Sequence, residues 1–98
     1  MNFVAITQVS YPPEMREGVQ ACGLALVKLA KSSAGYIYAA FHHSISKDET
    51  MIYWEWSTEK HHKTFFDSPE FQSVMTEFSS VFEGEGFNFS IDTYHRIK

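Results

Sequence analysis

Residues 36–57, YIYAAFHHSISKDETMIYWEWS, decide the fold. Two runs rich in rings and β-branched residues, 36–45 and 50–57, flank the polar segment Ser46-Lys47-Asp48-Glu49. That pattern reads as a β-hairpin. The hairpin sits in the middle of the chain, so the segments on either side must supply whatever covers it.

Upstream, residues 2–10 (NFVAITQVS) are β-prone and alternate only loosely, as in a strand buried on both faces or nearly so. Tyr11-Pro12-Pro13-Glu14 breaks the strand, and proline followed by an acid suits the start of a helix. From Pro13 to about Lys31, the apolar residues Met15, Val19, Cys22, Leu26, Leu29 and Ala30 fall on one helical face. Ser32-Ser33-Ala34-Gly35 ends that helix. Downstream, Ser57 or Thr58 can cap a short helix reaching about Phe66. Ser68-Pro69-Glu70 starts another, with Phe71, Val74, Met75, Phe78, Val81 and Phe82 on one face, until Gly84 and Gly86 stop it. A final alternating run carries Phe87, Phe89, Ile91, Thr93, His95 and Ile97 on one side. The order β-α-β-β-α-α-β predicts an α+β, ferredoxin-like (split βαβ) domain with a four-stranded antiparallel sheet.

Composition narrows the class. The chain has 98 residues, enough for one domain spanning 1–98. Hydrophobic residues make up 44% and charged residues 20%, which suits a globular protein. No stretch of eighteen apolar residues spans a membrane. The segment MNFVAITQVSYPP does not read as a secretory signal, and Cys22 stands alone, so a cytoplasmic location is expected. A formal charge of −4 without a Lys/Arg cluster argues against nucleic acid. The aromatic share of 16% exceeds what one helix-covered sheet face can absorb, because alternation puts some rings on each side. A second copy packed sheet to sheet is the simplest cover, and the two sheets would enclose a cavity. A homodimer is therefore expected.

In element order, and in the run AGYIYAAFHHSISKDETMIYWEWSTEKHHKTFFDSPEFQSVM (34–75), the chain resembles the antibiotic-biosynthesis-monooxygenase (ABM) superfamily of dimeric α+β barrels. The shared pattern is a Gly-aromatic start to strand two, a polar hairpin, a strand ending in Trp-Ser, and a Ser-Pro-Glu-Phe helix start. The resemblance implies a cofactor-independent monooxygenase acting on phenols or quinols, and the superfamily also holds haem-degrading enzymes. Several family positions differ here. Trp54 stands where members often carry Glu, two residues before Trp56, and Phe65 stands where many have His. The Asn, Trp and His of the haem-degrading branch align with Thr7, Phe65 and Met75, so haem degradation is set aside.

The candidate chemistry is sparse. His42-His43 point to opposite sides of a strand and His61-His62 diverge on a helix, so no metal site is expected. Cys22 reads as a small buried hydrophobe. Trp54 and Trp56 share one face, as core under the helices or as a flat wall for a ring-shaped ligand. Tyr36, Tyr38 and His42 are expected on one face of strand two, as a pocket or as part of a dimer interface, with Thr7 of strand one a candidate to join them. Ile37, Ala39, Phe41, His43 and Ile45 form the more apolar set, expected under the helices.

Three functions follow. An oxygenase would use His42 as base on an aromatic (phenol/quinol-type) molecule positioned by Thr7, Tyr36, Tyr38, Trp54 and Trp56, with no cofactor. A non-catalytic binder would hold a small aromatic or hydrophobic molecule in the same pocket. A structural dimer would use every ring for packing. A cavity with a histidine inside points to the first, a cavity with no titratable group to the second, and no cavity to the third.

Overall fold

The computed structural model describes residues 1–98. Its strands are β1 (Phe3–Ser10), β2 (Tyr36–His43), β3 (Glu49–Trp56) and β4 (Asn88–His95). Its helices are α1 (Arg16–Lys31), α2 (Glu59–Asp67) and α3 (Pro69–Glu77), with single 3₁₀ turns at Pro13–Met15 and Ser79–Phe82. The sheet order is β2-β3-β1-β4, and every neighbouring pair is antiparallel. This is the split βαβ arrangement read from the sequence.

Local chemistry sets the helix ends. Thr58 caps α2 by accepting the backbone N–H of His61 at 3.2 Å. Ser68 caps α3 by accepting the N–H of Phe71 at 3.1 Å, and Pro69 fills the first position. After α1 the chain turns through Gly35, whose φ of 81° lies in the left-handed region that favours glycine. The long amphipathic segment expected to run to Gly84 is divided. α3 stops at Glu77, and after Phe78 the residues Ser79–Phe82 continue as a tighter 3₁₀ turn.

All three helices lie on one face of the sheet. The core between them holds Phe3, Ala5, Cys22, Leu26, Trp54 and Phe65, among others. Trp54 and Trp56 are the largest fully buried side chains. They stack at 6.5 Å between ring centroids, and Phe65 tilts against both, at 5.7 and 5.0 Å. Both indoles are thus buried under the helices. The N-terminal half of β1 is buried on both sides, as Phe3, Val4 and Ala5 show, but Gln8 is exposed.

The two halves of the sheet differ in cover. No residue of β4 is buried, and Phe89, Ile91 and Tyr94 are exposed. The face away from the helices also exposes Ile37 and Tyr38. The sheet thus carries apolar surface that one copy of the chain does not cover.

Candidate functional site

A cavity of about 330 Å³ lies between the sheet and the helices. Its sheet side carries Thr7, Thr50, Ile52 and Trp54. The α1 side supplies Cys22 and Leu26 with Gly23, and Phe71 and Met75 of α3 face them. Phe41, Phe82 and Phe89 complete the wall. Gly23 has a physical reason to be glycine: a Cβ there would stand 2.5 Å from the Phe41 ring.

Twelve of the fifteen lining residues are hydrophobic. The two polar side chains are Thr7 and Thr50. The Trp54 indole N–H donates to the Thr7 hydroxyl at 3.0 Å. Cys22 is the ionisable group on the wall, and burial pushes its thiol up to about 11, so it is neutral near pH 7. Its Sγ lies 4.0 Å from the Met75 sulfur. No histidine, aspartate or glutamate lines this space.

The structure separates the site residues read from the sequence. Thr7 and Trp54 line the cavity, and Trp56 lies buried beside them without lining it. Tyr38 and His42 lie on the opposite sheet face, in a wide depression with Tyr53, Glu55 and Arg96. Tyr36 does not join them. The β2–β3 register slips between Tyr36 and Tyr38, so Tyr36 pairs with Trp56 and Tyr38 with Glu55. The extra residue, Ile37, forms a bulge and faces the depression. Tyr36 therefore turns to the helix side and meets the Trp56 ring edge-on at 6.3 Å. This corrects three expectations: Tyr36 does not share a face with Tyr38 and His42, Ile37 does not pack under the helices, and Ile45, beyond the end of β2 at His43, is fully exposed because no strand pairing holds it against the core. The bulge has no signal in a run of alternating rings.

Glu55 carried no role in the sequence reading, yet its side chain is one of the most constrained in the molecule. It is 3% exposed, on the helix-free face. Asn2 and Tyr53 each donate to it at 2.8 Å, and Arg96 donates at 2.8 Å. Burial would raise its carboxyl, but the Asn2 and Tyr53 hydrogen bonds and the Arg96 charge outweigh it and hold the group below the ordinary carboxylate range. Tyr53 stands two residues away on the same strand, but Asn2 and Arg96 come from the two ends of the chain, so only tertiary structure could reveal the full set.

The other histidines have structural surroundings. The His61 ring accepts or donates at 2.8 Å with Thr58 and 3.0 Å with Ser57. His62 is buried against Phe3 and Phe66, with ring centroids 5.0 and 4.7 Å away. Desolvation lowers its pKa, the Glu59 charge opposes that, and the Lys63 charge adds to it. His43 meets the Arg16 guanidinium at 2.7 Å. No three metal-ligating side chains converge anywhere in the chain.

The fold matches Rv0793 of Mycobacterium tuberculosis with a TM-score of 0.83 at 10% identity, covering 100% of this chain and 97% of that one. It matches a candidate antibiotic biosynthesis monooxygenase of Deinococcus radiodurans at 0.82 and 10% identity, covering 98% and 93%. The chain has the fold of the antibiotic biosynthesis monooxygenases. A third match is SnoaB of Streptomyces nogalater, a cofactor-independent oxygenase, at 0.79 and 8% identity over 99% of this chain and 94% of that one. No protein-family model and no curated protein sequence matches the chain. Identities this low, set against TM-scores near 0.8, mean that the monooxygenase fold is shared while most side chains are not.

Proposed function

We propose that the chain binds a small, neutral aromatic molecule in the cavity between its sheet and helices. The observation that carries this reading is the wall itself: about 330 Å³ of space bounded almost entirely by apolar side chains. An apolar cavity of roughly 150 Å³ holds benzene, so this one suits two or three fused rings. The Trp54 and Phe71 rings offer flat apolar surface to such a molecule. A charged ligand is disfavoured, because burying it here would leave it without a counter-ion.

The absence of a base on the wall favours binding over proton abstraction. Oxygenation is the second reading, and the fold shared with SnoaB, a cofactor-independent oxygenase, favours it. In that reading the substrate is an electron-rich phenol or quinol that gives an electron to O₂ once it has lost its proton. The protein contributes a dry, aromatic enclosure and hydrogen bonds to the developing oxyanion. His42 does not reach this cavity, so the ionisation draws on the substrate's own acidity. No cofactor is needed in either reading.

We further propose that the helix-free face pairs with a second copy of the chain. Ile37 is 42% exposed, Tyr38 54% and Tyr94 52%, all large apolar side chains. Such a contact would cover the depression that holds His42 and Tyr38.

Titration of the protein with two-ring hydroquinones under nitrogen, followed by admission of air, tests both readings. Quenching of tryptophan fluorescence without oxygen uptake above the protein-free rate supports the binder. Accelerated uptake supports the oxygenase. Neither response, at ligand concentrations up to solubility, removes both.

A further inference from the structure

Two hydroxyl groups in the cavity carry protons that the protein does not use. Thr7 Oγ1 accepts from the Trp54 indole at 3.0 Å, but its own hydrogen has no acceptor in the structure. Thr50 is 2% exposed, and the polar neighbour of its hydroxyl is the Tyr11 hydroxyl, in a contact too poorly aligned to be a well-formed hydrogen bond. The Tyr11 hydroxyl lies beside Thr50, buried and likewise without a well-formed partner. Buried hydroxyls are ordinarily satisfied, so a cluster like this one calls for an explanation.

The register places the two threonines together. Thr7 pairs with Ile52, and Thr50 pairs with Val9, so Thr7 and Thr50 are diagonal neighbours on the cavity face of β1 and β3. Diagonal positions stand roughly 7–8 Å apart at Cα, with side chains closer. Two hydroxyls at that spacing can lean toward one oxygen atom between them. Both have a proton to give. What is missing is an acceptor.

We propose that Thr7 and Thr50 jointly donate hydrogen bonds to a single acceptor oxygen on the ligand, so that the cavity selects a neutral aromatic ketone, quinone or phenol over the bare hydrocarbon. This rests on the reading of the cavity as a ligand site, and adds the polar end of the ligand to it. The rest of the wall is apolar, so the acceptor must sit at one edge of the molecule. Once Thr50 donates to the ligand, its oxygen is free to accept from Tyr11, which would then also be paired. Hydroxyls linked in this way strengthen one another. The Trp54–Thr7 bond acts in the same sense, because the indole donor makes the Thr7 hydroxyl a better donor in turn.

The probes are tetralin and 1-tetralone, which share a two-ring skeleton and differ by one carbonyl oxygen, with 1-naphthoate as the charged counterpart. Binding is read from tryptophan fluorescence and calorimetry on the full chain. The ketone is expected to bind about tenfold or more tightly than the hydrocarbon, and naphthoate more weakly than either. Thr50→Val, which removes only the poorly aligned contact with the Tyr11 hydroxyl, should remove most of that preference while costing tetralin far less than the ketone. Thr7→Val should also reduce the preference, with a loss of stability because it strands the Trp54 indole N–H, and Thr7→Ser, which keeps the hydroxyl, should retain the preference. Tyr11→Phe should reduce it only a few-fold. Equal affinity for the two probes, or a preference that survives in Thr50→Val and Thr7→Val, overturns the proposal while leaving the cavity as a ligand site. Failure of both probes to bind overturns the cavity reading as well.

Discussion

Arg96 Nη1 lies 2.8 Å from Glu55 Oε1, reaching over β1 from the residue after β4 to the penultimate residue of β3. The Arg96 backbone N–H also donates to the Asn2 carbonyl at 2.9 Å, so the same residue is tied to both neighbours. The contact fastens the edge strand β4, none of whose residues is buried, to the centre of the sheet.

The Glu55 carboxyl titrates lower in the folded chain than in the unfolded one. Its contribution to stability is therefore complete above the unfolded carboxylate value of about 4.3, and is lost as pH falls through the lower folded value. Acid unfolding followed by circular dichroism should show this loss below about pH 4.3. Glu55→Gln should cost about 1–2 kcal/mol at neutral pH and flatten that limb. An unchanged acid limb in the variant would remove Glu55 as its source.

His62 acts in the same direction at higher pH. Its folded pKa is lowered, so the unfolded chain binds the proton more readily. The folded state is penalised once pH drops below the unfolded histidine value of about 6.5, and the penalty stops growing below the folded value. Stability measured by urea unfolding should decline as pH falls below about 6.5 and level off below the lower folded value. His62→Leu should erase that decline and keep the one due to Glu55.

Thr7→Val leaves the buried Trp54 indole N–H without an acceptor. The expected loss is about 1–3 kcal/mol in chemical denaturation. Trp54→Phe, which removes donor and acceptor demand together, relieves the Thr7 term but opens space beside Phe65 and Phe66. A double-mutant cycle should therefore show coupling between the two positions. Additive losses would mean that the bond contributes nothing.

Gly23→Ala brings a Cβ to 2.5 Å from the Phe41 ring on the cavity wall. The ring must shift, at a cost of about 1–3 kcal/mol, and it shifts toward or along the cavity. Thermal unfolding should register the loss, and affinity for two-ring ligands should fall with it. Retained affinity would place the ligand elsewhere.

On the helix-free face, Tyr38→Glu should leave the secondary structure intact and convert a dimer to a monomer in light scattering at micromolar concentration. His42→Ala should leave ligand affinity in the cavity unchanged, since His42 lies on the other face. A dimer that survives Tyr38→Glu would locate the contact away from β2.

The fold was legible because its signals are local. Period 3.6 in residues 13–31, the proline-and-cap signature at Ser68-Pro69, and the alternation in 87–97 each depend on a few adjacent residues. Backbone geometry converts such patterns directly into helix and strand. The chain order β-α-β-β-α-α-β then leaves few ways to cover one sheet face, and the pairing of β1 with both β3 and β4 follows. The buried indoles of Trp54 and Trp56 were also within reach, since both fall on one side of a strand bounded by a helix.

The site needed the tertiary structure. A single-residue bulge at Ile37 moved Tyr36 to the other face, and nothing in the local sequence distinguishes a bulged strand from a regular one, because the partner strand decides the register. The cavity is a gap left where α1, α3 and the sheet fail to meet, so it belongs to the packing of distant segments and to no motif. Glu55 became a buried, ionised group only when Asn2 and Arg96 were brought from opposite ends of the chain to join its strand neighbour Tyr53. Periodicity fixes which way a side chain points relative to its own backbone. What stands opposite that side chain, and whether it finds a partner or leaves a space, is settled by contacts between residues far apart in sequence.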